Sequence, residues 1–334
     1  MRILSGIKPS GDLHIGNYFG AIKLWLDTIK EPDTQAIFIV VDLHAITVYQ
    51  NPEILKRRIY EIAALYFAAG LDYKKHIVFV QSDNPDHTYL SWLLTTITPV
   101  GWLERMTQFK DKKRKLKQYG QVVSAGLFNY PVLMAADILI YDTDVVPVGE
   151  DQIQHVELTR DIAKRFNKIY GNTFKVPEYR INKTTARIMD LQKPTRKMSK
   201  SDDSDLGCVF LLDDNDSIYK KITRAVTDSE RVIKYDKKNK PGISNLLAIL
   251  SEATGKDIKT LEKEYEGKTY AEFKKDVADA VINIVAPIRD KALKYLNDKA
   301  ELDKILKQGA TKAYNLSHPK LLEVIDKMGL YHHE

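Results

Sequence analysis

The fold of this chain is decided by one stretch near its start, Gly6-Ile7-Lys8-Pro9-Ser10-Gly11-Asp12-Leu13-His14-Ile15-Gly16-Asn17-Tyr18. The apolar pair Ile3-Leu4 before it is typical of a buried strand, and the apolar residues after it follow a helical period. The glycines and Pro9 in between predict a loop. A strand, a loop and a helix start together predict a phosphate site, because free N–H groups and the helix dipole face the loop. The alternative is an ordinary strand-to-helix turn, since the spacing matches neither GxxxxGKS/T nor GxGxxG.

Two further apolar runs extend this pattern. Residues 36–41 and 77–80 are continuous and β-branched, as in strands that are buried on both faces of a parallel sheet. Between them, a helical period begins at Asn51-Pro52 and ends near Gly70. This alternation of strands and helices is the doubly wound α/β pattern, in which ligands bind at the carboxyl ends of the strands. The segment Asp42-Leu43-His44 and the first loop are therefore predicted to face one crevice.

The bulk properties describe a globular chain of about two domains. The chain has 334 residues and a formal net charge of +6, which permits a polyanionic partner without identifying one. The single cysteine, Cys208, excludes an internal disulfide and agrees with a reducing compartment. No secretory segment and no membrane span are predicted, because the longest apolar stretch, residues 36–41, is too short.

We predict an α/β fold with two domains. Residues 1–205 form a Rossmann-like doubly wound parallel sheet with a helical, partly basic insertion around residues 86–145. Residues 206–334 form an all-helical C-terminal domain, because their apolar residues recur at helical spacing and their charges balance overall.

A second informative stretch is the almost wholly apolar run Tyr130-Pro131-Val132-Leu133-Met134-Ala135-Ala136-Asp137-Ile138-Leu139-Ile140-Tyr141. Pro131 suits the first turn of a buried helix, on which Tyr130, Met134, Asp137 and Tyr141 form one stripe. A buried carboxylate is costly unless something donates to it. Asp137 therefore either caps or pairs within the core, or has a ligand as its partner. Tyrosine and methionine beside one acceptor would suit an aromatic ring that carries an N–H or O–H.

Two polar segments have open roles. Residues 148–155 begin a further helix, and Gly149, Glu150 and Asp151 either cap it or accept from ribose hydroxyls or a substrate ammonium. Residues 105–117 carry seven cations against one acid, Asp111. A solvated, mobile loop is the expectation for these cations, and contact with phosphate or RNA is the alternative.

A third stretch, Arg196-Lys197-Met198-Ser199-Lys200-Ser201-Asp202, resembles the lysine loop of class I aminoacyl-tRNA synthetases when it is set beside His14-Ile15-Gly16. Further segments narrow the resemblance to the bacterial-type tryptophanyl-tRNA synthetase family. They are 41–47 (VDLHAIT), 103–110 (LERMTQFK), 134–137 (MAAD), 147–152 (PVGEDQ), 187–189 (RIM), 225–230 (AVTDSE) and 241–247 (PGISNLL). The family usually has glutamine in place of Lys8 and commonly threonine in place of His14.

The resemblance implies a tryptophan–tRNA ligase. Such an enzyme activates L-tryptophan with ATP and Mg²⁺ to tryptophanyl-adenylate, releases pyrophosphate, and transfers tryptophan to tRNA(Trp). The implied tryptophan contacts are Asp137, as acceptor of the indole N–H, with Tyr130, Met134, His44 and Gln152. The implied ATP contacts are Lys8, Pro9, Ser10, Gly16, Asn17, Gly149, Glu150, Asp151, Ile188, Lys197, Met198, Ser199, Lys200 and Ser201. The implied catalytic residues are Lys197, Lys200, His14, Asn17 and Lys112. No metal ligand of the protein is implied, since ATP holds the Mg²⁺.

The resemblance further implies a cytoplasmic homodimer whose residues 206–334 recognise the tRNA anticodon. The nearest alternative is a tyrosyl-tRNA synthetase, which pyrophosphate exchange with each amino acid would distinguish. More distant alternatives are a small-molecule adenylyltransferase, which would not bind tRNA, and a catalytically inactive RNA-binding paralogue, which would not aminoacylate.

Overall fold

The centre of the fold is a five-stranded parallel sheet. The structure, a computed structural model, describes residues 1–181, 187–198 and 205–331. The strands are β1 (Arg2–Ile7), β2 (Gln35–Val40), β3 (Ile77–Val80), β4 (Val145–Val148) and β5 (Glu178–Ile181). Their order in the sheet is β3-β2-β1-β4-β5, so the chain moves outward from β1 first in one direction and then in the other. The predicted doubly wound α/β fold is confirmed.

Helices cover both faces of this sheet. In chain order they are α1 (Ile15–Asn17), α2 (Lys23–Thr28), α3 (Asp42–Ala45), α4 (Pro52–Ala69), α5 (Asp86–Ile97), α6 (Val100–Glu104), α7 (Thr107–Gln118), α8 (Ala125–Leu139), α9 (Ile153–Tyr170), α10 (Asn215–Thr223), α11 (Pro241–Thr254), α12 (Ile258–Glu264), α13 (Tyr270–Asn297) and α14 (Lys299–Lys327). A π-helical turn, Tyr18–Ile22, joins α1 to α2. Single 3₁₀ turns lie at Gln81–Asp83, Glu150–Gln152 and Asp205–Gly207.

Local sequence signals explain α4 well. The side chain of Asn51 accepts from the N–H groups of Glu53 and Ile54, and Pro52 occupies the first turn, where its missing N–H costs nothing. The helix ends at Gly70, whose φ of +116° is a conformation that a side chain would oppose. Both predicted ends of this helix are confirmed.

Two local predictions are wrong. Helix α8 begins six residues before Pro131, because Ser124 caps it by accepting from the N–H of Leu127, so the proline lies inside the helix. The basic segment 105–117, expected as a loop, is mostly helix α7. Lysine, arginine and glutamine are strong helix formers, and the buried ring of Phe109 anchors the helix.

Strands β4 and β5 are absent from the sequence prediction, which places strands only at Ile3-Leu4, residues 36–41 and residues 77–80. Each strand is only four residues long. Pro147 interrupts the apolar run of β4, and β5 lies at a sheet edge and contains charged Glu178 and Arg180. Neither strand shows the continuous apolar pattern of β2 and β3.

The side chains of the sheet alternate between two hydrophobic clusters. Ile3, Phe38 and Val78 face the cluster that includes α4, α10, α11 and α13, whereas Leu4 and Phe79 face the cluster that includes α5, α8 and α9. Helix α14 contributes to both clusters and crosses the edge strand β3. A Cβ on Gly309 would lie 1.8 Å from the carbonyl oxygen of Val78, so only glycine permits this approach.

The helices after residue 205 pack directly on the α/β half, and the predicted division into domains 1–205 and 206–334 stays a prediction. None of the helices that the structure describes combines the length and the apolar composition needed to cross a membrane.

Candidate functional site

A cavity opens between β1 and β4, where the direction of chain winding reverses. The two strands share one register pair, Ile3 with Val145. The cavity has a volume of about 490 Å³. It lies between the residues that follow Ile3 on β1 and those that follow Val145 on β4, and it extends to the carboxyl edge of the sheet. This is the topological switch point at which doubly wound folds bind ligands. Among the predicted site residues, the cavity is lined by Lys8, Asn17, His44, Lys112, Tyr130, Met134, Asp137, Gly149 and Gln152.

Asp137 is buried and has three hydrogen-bond donors from the protein. Its Oδ1 accepts from Gln81 Nε2 at 2.7 Å and His87 Nδ1 at 2.6 Å, and its Oδ2 accepts from His44 Nε2 at 2.8 Å. Burial alone would raise the pKa of Asp137, but the hydrogen bonds from His44 and His87 outweigh it and hold that pKa below its usual range.

Both interpretations of Asp137 find support in this geometry. The carboxylate is paired within the core, yet it also lines the cavity. A carboxylate oxygen can accept two hydrogen bonds, so Oδ1 is saturated while Oδ2 has one remaining position. Tyr141 departs from the predicted stripe, because it lies beyond the end of α8 and its hydroxyl group contacts His87 and Asn84 instead of the cavity.

Aromatic and apolar side chains surround this carboxylate. The rings of His44 and Tyr130 meet edge to face with centroids 6.2 Å apart, and Met134 lies between Tyr130 and Asp137 along α8. The hydroxyl of Tyr130 lies 2.8 Å from Nε2 of the buried His155. Burial raises the pKa of Tyr130 to about 12, so it remains a neutral hydroxyl. These side chains form an apolar slot around the Asp137 carboxylate.

The first loop is held by the chain itself. The N–H of His14 donates to Asn17 Oδ1 at 3.1 Å, and the N–H of Ile15 donates to the carbonyl of Val209 at 3.0 Å. Those two amides are therefore not free to bind a phosphate. For these two groups, the prediction of a phosphate site at the helix start is wrong. Burial, together with the charge of Lys197, lowers the pKa of His14 to about 4.

Two lysines place positive charge at the cavity. Burial lowers the pKa of Lys8, and burial together with the Lys8 charge lowers the pKa of Lys112 to about 8. The Lys112 ammonium lies 4.5 Å from the centre of the Tyr130 ring. Lys8, which departs from the family pattern as His14 does, therefore lies within the site. An anion between these two ammonium groups would relieve their repulsion.

The turn Glu150–Gln152 joins the cavity to α7. Asp151 Oδ2 accepts from Gln108 Nε2 at 3.1 Å and from Gln152 Nε2 at 2.8 Å. Gly149 lines the cavity, whereas Glu150 and Asp151 stand outside it, as do Pro9 and Ser10.

The lysine loop lies near His14. Lys197 pairs with Met189 in an isolated bridge, and the N–H of Met198 donates to the carbonyl of Ile188 at 3.1 Å. The side chains of Met198 and Ile188 are buried in the core. A Cβ on Gly16 would lie 3.7 Å from Ile188 Cβ, so this segment packs against the first loop. Ser199, Lys200 and Ser201 lie outside the described residues.

Sequence reasoning missed several residues that support the site. Gln81 and His87 follow β3, and the rule that selected Asp42 and His44 after β2 would have selected this segment as well. Asn245, on α11, is buried and makes two hydrogen bonds of 2.8 Å to the backbone of Met189, at the base of the lysine loop. Asn245 lies within the segment 241–247 that contributes to the family resemblance, but nothing in that segment predicts its contact with Met189.

Comparison with known proteins gives consistent matches. Residues 1–286 match the family described as class I tRNA synthetases (W and Y). The tryptophan–tRNA ligase of Clostridium tetani is 52% identical over 327 residues, which cover 98% of this chain and 95% of that protein. The tryptophanyl-tRNA synthetase structure from Mycoplasma pneumoniae has a TM-score of 0.88 and 36% identity, covering 99% of this chain and 98% of that chain. The Campylobacter jejuni structure complexed with ADP and tryptophan has a TM-score of 0.85 and 38% identity, covering 99% of this chain and 100% of that chain.

Proposed function

Since the chain belongs to the class I tRNA synthetases for tryptophan and tyrosine, we propose that it is a tryptophan–tRNA ligase. It activates L-tryptophan with ATP and transfers the amino acid to tRNA. The near full-length relative is a tryptophan–tRNA ligase, which favours tryptophan over tyrosine as the substrate. The single structural observation that carries the proposal is the buried carboxylate of Asp137, which offers one acceptor inside an apolar slot.

Asp137 is the proposed selector of the side chain. The indole N–H is a donor without acceptor capacity, so the open position on Oδ2 matches it. Phenylalanine would bring no donor and would leave that position unpaired, a discrimination that reaches roughly 10⁴–10⁵ in sites built this way. Tyrosine also carries a donor, so the shape formed by Tyr130, Met134 and His44 has to exclude it, with Gln152 at the cavity wall.

ATP is proposed to lie between the first loop and the lysine loop. Lys8, Asn17 and Gly149 line the cavity, and Pro9, Ser10 and Gly16 belong to the same loop. Ile188 packs against Gly16 of this loop, the charge of Lys197 acts on His14, and Glu150 and Asp151 follow Gly149 in the chain. The remaining proposed contacts are Met198, Ser199, Lys200 and Ser201.

Mg²⁺ is proposed to arrive with the triphosphate as part of the substrate. Within residues 1–181, 187–198 and 205–331, no group of three His, Cys, Asp or Glu side chains is placed to hold a metal ion. The charges that this chain itself supplies to phosphates are the ammonium groups of Lys8, Lys112 and Lys197, together with Lys200.

The proposed chemistry needs no protein nucleophile. A carboxylate oxygen of tryptophan bonds to the α-phosphorus of ATP while the bond from that phosphorus to the bridging oxygen breaks, and pyrophosphate leaves. The oxygen of a terminal ribose hydroxyl of tRNA(Trp) then bonds to the acyl carbon while the bond from that carbon to the phosphate oxygen breaks, and AMP and the hydroxyl proton leave. Positioning and charge stabilisation supply the rate of the first step, so Lys112, Lys197 and Lys200 act on the developing phosphate charge. The backbone N–H of His14 donates to Asn17 Oδ1, which fixes the end of the first loop at the start of α1.

The tRNA contacts are proposed at two places. On helix α7, Gln108 and Lys112 line the cavity. Lys110, Lys113 and Arg114 on the same helix are exposed, so these three cations can contact tRNA phosphates. Residues 206–334 are proposed to recognise the anticodon. A cytoplasmic location is proposed, because tRNA is charged where proteins are synthesised.

A homodimer is proposed from the exposed apolar side chains of α5. Tyr89 and Trp92 are three residues apart on that helix, and Trp92 is 66% exposed. A second copy of the chain would cover this face. Light scattering is expected to give the mass of a dimer for the parent and of a monomer for Trp92→Glu, and a monomeric parent would contradict the proposal.

Aminoacylation tests the function. Purified protein, tRNA and ATP are incubated with labelled tryptophan or labelled tyrosine, and acid-precipitable label is counted. We expect tryptophan alone to be attached, and only when ATP is present. Attachment of tyrosine, or of neither amino acid, would overturn the proposal.

A further inference from the structure

A histidine that does not line the cavity forms a hydrogen bond with the carboxylate of Asp137. His87, on α5, is fully buried. Its Nδ1 lies 2.6 Å from Asp137 Oδ1, and its Nε2 lies 2.7 Å from the hydroxyl oxygen of Tyr141. Both ring nitrogens are therefore used inside the protein.

The side chain of Asn84 sets the direction of these hydrogen bonds. An amide nitrogen only donates, and Asn84 Nδ2 lies 3.0 Å from the Tyr141 hydroxyl oxygen. With Asn84 as its donor, the Tyr141 hydroxyl can in turn donate its hydrogen to Nε2 of His87. Nδ1 of His87 then carries the ring proton and donates it to Asp137. The chain of hydrogen bonds runs one way, from Asn84 through Tyr141 and His87 to Asp137.

The same amide ties this chain to the C-terminal helix. Asn84 Nδ2 also donates to Ser317 Oγ at 2.9 Å, across 233 positions of sequence. Ser317 lies on α14, is fully buried, and donates to Asp86 Oδ2 at 2.7 Å. The backbone N–H of Asp86 in turn donates to Asn84 Oδ1 at 3.2 Å. The Asn84 side chain is thus fixed by three partners.

We propose that His87 is a positioning residue for amino-acid recognition, held in one tautomer by Tyr141 and Asn84 and anchored to α14 by Ser317. The proposal rests on the proposed function, because it assigns recognition of tryptophan to Asp137. Gln81 and His87 together saturate Oδ1, which directs the remaining acceptor position of Oδ2 to the cavity. Without the His87 donor, only Gln81 and His44 hold the carboxylate, so its orientation is less fixed and the binding of tryptophan has to order it.

Two amide substitutions separate the hydrogen bond from the space that the ring fills. The amide nitrogen of an asparagine superposes on Nδ1 of histidine, and that of a glutamine superposes on Nε2. His87→Asn therefore keeps the donor to Asp137, whereas His87→Gln removes it. In ATP–pyrophosphate exchange, we expect the KM for tryptophan to stay within about threefold of the parent in His87→Asn and to rise roughly 10- to 100-fold in His87→Gln. The KM for ATP is expected to change less than about threefold in both.

The comparison of His87→Asn with His87→Gln decides whether the hydrogen bond or the volume of the ring matters. Equal effects of the two substitutions, or an unchanged KM for tryptophan in His87→Gln, would overturn the proposal, because a ring that only fills space is lost in both. Circular dichroism and a melting curve establish that each variant is folded.

Tyr141→Phe provides a second test that leaves the core volume nearly intact. In the parent it removes the hydroxyl that fixes the tautomer of His87, so the KM for tryptophan is expected to rise severalfold. The His87→Asn variant has no Nε2 that could accept from Tyr141, so adding Tyr141→Phe to it is expected to leave the KM for tryptophan unchanged. Additive effects would overturn the coupling.

The parent protein is assayed first. Absence of tryptophan-dependent exchange in the parent would contradict the proposed function, whereas normal exchange in the parent with no effect of His87→Gln would contradict only the role of His87.

Discussion

Replacing Asp137 by asparagine tests the selector directly. The amide has to place its oxygen at the position of Oδ1, because Gln81 Nε2 and His87 Nδ1 both donate there, at 2.7 and 2.6 Å. Its nitrogen then takes the position of Oδ2, where it faces the cavity and the Nε2 of His44, 2.8 Å from the carboxylate oxygen it replaces. An acceptor for the indole N–H has become a donor.

The expected loss follows from two contributions. A hydrogen bond to a charged acceptor contributes about 1.5–3 kcal/mol, and a buried donor left without a partner costs about 1–3 kcal/mol. Since about 1.4 kcal/mol is a factor of ten, kcat/KM for tryptophan should fall by roughly 10²–10⁴.

The assay is ATP–pyrophosphate exchange with tryptophan and with phenylalanine. Phenylalanine brings no N–H, so its weak exchange should change much less than that of tryptophan, and ATP binding measured by equilibrium dialysis should be preserved. Full tryptophan activity in Asp137→Asn would refute the reasoning. So would an equal loss for both amino acids, because that would indicate general damage to the site.

Three further perturbations probe the lysine loop and the buried histidines. Lys197→Ala should slow single-turnover adenylate formation by roughly 10- to 1000-fold, like the loss of one oxyanion donor, and an unchanged rate would remove Lys197 from the mechanism. Asn245→Leu removes both hydrogen bonds to Met189 and should raise the KM for ATP about tenfold while tryptophan binding is unchanged, whereas equal effects on both substrates would contradict a local role. The free energy of unfolding should fall as pH drops from 6.5 towards 4, because burial lowers the pKa values of His14 and His155 from 6.5 to about 4, so the unfolded chain binds protons that the folded chain does not. Denaturant titrations across that range should show a shallower fall for His155→Gln, and an equally steep fall would contradict the assignment.

The strongest parts of the fold were predictable because their signals are local. Helix α4 carries its cap, its proline and its terminal glycine within the sequence that forms it. Strands β2 and β3 are continuous apolar runs, whereas β4 acquires strand conformation by pairing with β1, and β5 by pairing with β4. Their identity depends on tertiary contacts that a local pattern does not contain.

In the site, too, local sequence patterns do not reveal the contacts between distant parts of the chain. Asp137 was conspicuous because a carboxylate interrupts an apolar helix, and the expectation that it needs a partner was sound. Its partners were not predictable in the same way, since Gln81 and His87 come from a different βα connection. Ser317 lies still further away along the chain, and only the passage of α14 over β3 brings it to Asn84.

The central claim is that this protein activates tryptophan with ATP in the cavity between β1 and β4. The most direct measurement is ATP–pyrophosphate exchange by the unmodified protein with tryptophan and tyrosine in parallel. The account predicts rapid exchange with tryptophan and only trace exchange with tyrosine at the same concentration. Exchange that is as fast with tyrosine, or that occurs with tyrosine alone, would contradict it.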